Sequence, residues 1–151
     1  MLSVLRGGVV VLLLMAVARP QQPSDSKKPA PAYPCASATS QMEITQCWED
    51  LAKKADANLT AVYQKVQKAI RAKIAEEKGG PLEGYEQRAL DKLRAAQIAW
   101  SHYREVECDA EEQQNEGGTI APSIHAGCMK ELAERRAGDL QKTYAIYLLS
   151  K

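Results

Sequence analysis

The chain has 151 residues, with 20 Lys plus Arg against 19 Asp plus Glu and a formal net charge of +1, so it lacks the excess positive charge that marks a nucleic-acid binder. From Ala36 onward, sixteen basic side chains face eighteen acidic ones, which makes that part mildly acidic. The length suits one domain of ordinary size.

Residues 1–18 run through Arg6 into an apolar stretch, Gly8 to Ala18, that ends in Ala16-Val17-Ala18. A basic start, a short apolar run and a small-x-small end predict a secretion signal peptide. The run is only about eleven residues, where a bilayer span needs about 20. No Cys follows it directly, since Cys35 comes much later, so a lipoprotein anchor is not expected. Residues 19–34 carry five prolines and one large apolar residue, Tyr33, and predict an extended, disordered tether. About 117 residues, 35–151, remain for a folded domain. The expected location is the periplasm or the medium, with no stable membrane insertion after signal cleavage.

Ser40-Gln41-Met42-Glu43 has the form of a capping box and opens a long helix. Its apolar residues Ile44, Cys47, Leu51, Ala55, Leu59, Val62, Val66, Ile70 and Ile74 recur at helical steps. Gly79-Gly80-Pro81 is its stop signal. A second helix is predicted from near Tyr85 to about Gln114, with Leu90, Leu93, Gln97, Trp100, Arg104 and Cys108 on one stripe, ending before Gly117-Gly118. A third begins near Pro122 and places Ile124, Cys128, Leu132, Arg136, Leu140, Tyr144 and Tyr147 on one face. Strand signals are absent. Short connections between long amphipathic helices predict an all-α fold, an up-down-up antiparallel three-helix bundle. At 1.5 Å per residue the first helix is roughly 55 Å long and the third roughly 40 Å, so the first overhangs or bends.

This topology gathers Cys35, Cys47, Cys108 and Cys128 near one end, and in an oxidising compartment they read as two disulfides. Parallel first turns of helices one and three favour Cys47–Cys128, leaving Cys35–Cys108. The alternative, Cys35–Cys47 with Cys108–Cys128, closes smaller loops and stays open.

The stretch Leu93 to Cys108, LRAAQIAWSHYREVEC, resembles the Leu…Gln…Ala-Trp…Arg…Cys signature of the LprI-type lysozyme-inhibitor domain family of secreted and periplasmic bacterial proteins. Cys35 and Cys47 stand where that family has its first cysteines. Asp56, Leu59 and Tyr63 match its Asp-x-x-Leu-x-x-x-Tyr helix, and Cys128, Leu132, Arg136 and Leu140 resemble its last helix. Thr60 departs from the usual Asn. The resemblance covers residues 35 to about 145 and implies a binding protein that inhibits a cell-wall hydrolase.

From the residues themselves, Asp56, Gln97, Trp100, Arg104 and Arg136 fall at one height on inward faces and predict a paired polar cluster with a structural role. Glu105, Glu107, Asp109, Glu111, Glu112 and Glu116 crowd the end of the second helix, where negative charge opposes the macrodipole. Such a run suits a basic protein partner such as lysozyme, and the segment from Glu112 to Ile120 is the candidate protruding loop. The alternative reading is a structural or scaffolding envelope module without inhibitory activity, using the basic face of Lys65, Lys68, Arg71, Lys73 and Lys78. Catalysis is not expected, because His102 and His125, the two histidines, lack a nucleophile at recognisable spacing. No cofactor and no metal are expected: disulfides remove the thiolates that His125-x-x-Cys128 and His102-x5-Cys108 would offer to zinc. Asp109-x-Glu111-x-Gln113 has Gln114 where a calcium loop turns on Gly.

Overall fold

The computed structural model describes residues 33–149. The predicted signal peptide and all of the tether but Tyr33 and Pro34 lie outside the described residues. Three long helices dominate: α1 (Gln41–Glu77), α2 (Tyr85–Gln113) and α3 (Ala121–Thr143), followed by the short α4 (Ala145–Leu149). No strand occurs among the described residues, and no helix among them is long and apolar enough to cross a membrane.

The capping box forms as its residues dictate. Ser40 Oγ accepts from the Glu43 amide at 3.3 Å, while Glu43 Oε2 accepts from the Ser40 and Thr39 amides at 3.2 and 2.7 Å. Those bonds hold the Glu43 carboxyl below its ordinary range, because they favour its charged form. At the other end the chain leaves the helix at Lys78, with φ −58° and ψ 122°, and Gly79 at φ +78° completes the turn in a left-handed conformation at no β-carbon cost.

The helices run up, down and up. Gln41 near the start of α1 donates to Ser123 near the start of α3 at 3.1 Å, while Tyr147 in α4 reaches Glu86 at the start of α2 at 2.6 Å. The main core joins Leu59, Val66 and Ile70 of α1, Leu90 and Leu93 of α2, and Ala133, Ala137 and Leu140 of α3. α3 packs most extensively against α1 and next against α2, whereas α1 and α2 share the smallest of these three interfaces. Because α3 is covered from two sides, its buried surface is wider than one stripe. Ala126, Ala133 and Ala137 are buried beside Cys128, Leu132 and Leu140, and their small side chains let α1 approach.

Two disulfides cross-link the end where α1 and α3 begin and α2 finishes. They are Cys35–Cys47, Cα atoms 6.0 Å apart, and Cys108–Cys128, 5.5 Å apart. The favoured pairs Cys35–Cys108 and Cys47–Cys128 do not form. The stripe continuing from Ala55 and Ala52 toward the start of α1 passes through Trp48, which lies over Gly127 of α3. Cys47 is one residue, about 100°, around the helix from it. A turn at residues 33–38, with Ala36 N–H donating to Tyr33 O and Ala38 N–H to Cys35 O, folds Cys35 back beside Cys47. Tyr33 packs edge-on against Trp48, ring centroids 5.7 Å apart. Tyr33 and Pro34, which composition groups with the tether, therefore lie against α1.

Candidate functional site

The five residues of the predicted polar cluster meet at mid-height. Arg104 Nη1 donates to Asp56 Oδ1, and Arg136 Nε donates to Gln97 Oε1 at 3.2 Å. Both guanidiniums lie over the Trp100 ring, at 5.0 Å for Arg104 and 5.8 Å for Arg136, within the range of cation–π attraction. The Arg104 side chain is 13% exposed and Asp56 43%, so Asp56 keeps contact with solvent while the guanidinium is enclosed. Arg104 Nε is buried with no hydrogen-bond partner among the described residues. Trp100 also packs against both the main core and the Cys108, Cys128 and Leu132 cluster. The arrangement couples α1, α2 and α3 through half-buried side chains.

The acidic run lies at the cross-linked end. Glu105, Glu107, Asp109, Glu111 and Glu116 are exposed and Glu112 is half-buried. The last turn of α2 holds no basic residue; instead, Gln114 and Asn115 amides donate to the Ala110 and Glu111 carbonyls at 3.4 and 3.3 Å. Neutral amides thus satisfy the helix end without cancelling its negative charge. The connection to α3 is a series of tight turns, Asn115 N–H to Glu112 O and Gly118 N–H to Asn115 O. Gly117 sits at φ +79°. An open cleft of about 530 Å³ separates Asp109, Glu112 and Glu116 from Pro122.

His125 Nε2 is 3.4 Å from Asp109 Oδ1, and these two with Glu112 bring ligand atoms within 4.8 Å of one another. Asp109 is exposed, while Glu112 and His125 are half-buried. His102 stands on the outer face of α2, away from His125, and Cys108 and Cys128 are joined to each other, so the zinc arrangement weighed from sequence has no thiolate. Lys65, Lys68 and Arg71 line the second half of α1 in exposed positions, Lys73 is half-buried and pairs with Glu76 at 2.7 Å, and Lys78 follows the helix end.

Two features escaped the sequence reading. Tyr33 and Trp48 wall an open cleft of about 460 Å³ with Ile120, Ser123, Ile124 and Gly127; the spacing of seven from Trp48 to Ala55 was its signal. At the far end, buried Glu86 accepts from the Tyr147 hydroxyl. Burial, and then the Glu86 carboxylate, push that phenol well above its ordinary value. Glu86 precedes Leu90 by four residues, so it shares the apolar face.

A family model described as "Lysozyme inhibitor LprI" matches residues 34–140. The chain belongs to the LprI family. It is also 31% identical over 120 residues to an uncharacterized protein of Rhizobium meliloti, a match covering 80% of this chain and 84% of that relative. No solved structure matches. The LprI match spans all four cysteines and the whole Asp56 to Arg136 cluster. Its description is of an inhibitor, not of an enzyme.

Proposed function

We propose that this chain is an exported binding protein that inhibits a lysozyme-type cell-wall hydrolase by protein–protein contact. The LprI match over residues 34–140 carries the reading. Two disulfides fit an oxidising compartment, and export would be directed by residues 1–18 and reach supplied by residues 19–32. The surface we assign to the partner is the acidic run at the braced end. All of its carboxylates but the half-buried Glu112 are exposed, and the last turn of α2 holds no basic residue, so a basic hydrolase is drawn to it and held less well as salt rises. The polar cluster around Trp100 sets helix register and is not the contact surface.

The test is lysozyme turnover with and without the purified chain, at low and high salt. Inhibition is expected, decreasing with salt, and a Glu111→Lys/Glu112→Lys double variant is expected to weaken it about tenfold or more and flatten its salt dependence. Absence of inhibition by the folded, oxidised chain would leave the structural envelope module as the reading.

A further inference from the structure

The outer face of α2 carries a seam that no other helix covers among the described residues, although Asp109 at its end also lies 3.4 Å from His125 of α3. Lys92, Ala95, Ala99, His102, Val106 and Asp109 follow one another at alternating steps of three and four, the heptad spacing that keeps one stripe against a neighbouring helix. All six are exposed. Ile98 and Tyr103 flank them, and Ile98, Val106 and Tyr103 remain 73%, 54% and 50% exposed. Ala95, Ala99 and Val106, with Ile98 and Tyr103 beside them, leave a narrow apolar strip between charged ends.

The seam is complementary to itself. Its positions are symmetric about the midpoint between Trp100 and Ser101. In an antiparallel pair of α2 helices, Ala99 therefore meets His102 of a second copy, Ala95 meets Val106, and Lys92 meets Asp109. Small residues face large ones, and Lys92 of each helix faces Asp109 of the other. A parallel pair would set Lys92 against Lys92 and Asp109 against Asp109. A uniformly basic partner would meet Lys92 and Arg88 at one end of the strip, so mixed charge selects a second copy of this chain.

We propose that this face of α2 pairs with the same face of a second copy, the two helices antiparallel about a twofold axis, with Lys92 of each copy against Asp109 of the other. Such an interface is isologous, each contact occurring twice, so one substitution removes two charge pairs. Glu107, Glu111 and Glu116 lie off the seam and stay available; the pairing does not depend on the inhibitor reading.

Sedimentation equilibrium of the full, oxidised chain at rising concentration tests it. Dimerisation is expected, with Asp109→Lys and Lys92→Asp each weakening it about tenfold or more, and the double exchange Lys92→Asp/Asp109→Lys restoring it to within about threefold. Both positions are exposed, and circular dichroism checks that each variant folds. Asp109→Asn, nearly isosteric, gives the same comparison at smaller amplitude if a reversal unfolds the chain. A chain that stays monomeric, an association indifferent to both single reversals, or a loss that the double exchange fails to restore each overturns the proposal.

Discussion

Trp100 holds two cationic side chains over one ring, and what each contributes depends on how much water it has given up. Arg136 donates to Gln97 and lies 5.8 Å from the Trp100 centroid, one hydrogen bond and one cation–π contact worth about 1–2 kcal/mol together. Arg136→Ala is therefore expected to lower the melting temperature by about 5–8 °C while leaving hydrolase inhibition at 25 °C intact. Unchanged melting with lost inhibition would make Arg136 a contact residue and sink the structural role. Tyr147 makes a different case, because its proton is what Glu86 needs. Its folded value is raised above that of the unfolded phenol, so its contribution is complete below about pH 10 and is lost as pH climbs beyond that. Tyr147→Phe leaves the buried Glu86 without this donor and is expected to cost about 1–2 kcal/mol at neutral pH. Urea titrations of both proteins should converge as pH rises past 10; a gap that stays constant would show that the phenol proton is not involved.

Among the elements, the helix boundaries were the most legible part of the sequence, because caps and breaks are local chemistry. Ser40, Glu43 and Gly79 do in the structure what their types and spacing imply. Ser40→Ala is expected to remove about 1 kcal/mol, and Glu43→Gln to remove an acid-side dependence. Glu43 is held below its ordinary value, so its stabilisation is present above about pH 4.3 and fades as pH falls below it. Thermal melts between pH 3 and 7 read this directly: the variant should lose less than the parent on acidification, and an equal loss would reject the assignment. Stripe orientation was less legible. At the start of α1, Cys47 and Leu51 offer one apolar line and Trp48 and Ala52 another, one residue around, and only contact with Gly127 of α3 selects the second. The position of α3 between its neighbours was not encoded in its own periodicity either, since alanines at 126, 133 and 137 read equally well as exposed or as close-packed. The polar cluster was easier to foresee because Asp56, Gln97, Arg104 and Arg136 are costly to place inward without partners.

At the scale of the whole molecule, both disulfides brace the end that carries the acidic run, yet they constrain different things. Their sequence separations, 12 and 20 residues, are close, and loop-closure entropy alone assigns each about 3 kcal/mol. Position separates them. Cys35–Cys47 ties the entry turn to α1, where the Tyr33–Trp48 contact backs it, and cutting it frees a segment outside the main core. Cys108–Cys128 ties the end of α2 to the start of α3, joins Trp100 and Leu132 in one cluster, and closes the turn that presents Glu111, Glu112 and Glu116. Replacing Cys108 and Cys128 together by Ala is therefore expected to lower stability by about 3 kcal/mol and to weaken hydrolase inhibition further than stability alone accounts for, because the carboxylates then hang from an unbraced helix end. Replacing Cys35 and Cys47 together is expected to leave inhibition at 25 °C within about twofold of the parent, since the charges of the α2 end stay braced. Melts followed by circular dichroism, beside the turnover assay on each double variant, compare the two. Equal loss of inhibition in both variants would mean that the entry turn, with its Tyr33 and Trp48 cleft, takes part in binding, and the acidic run could no longer be the sole contact surface.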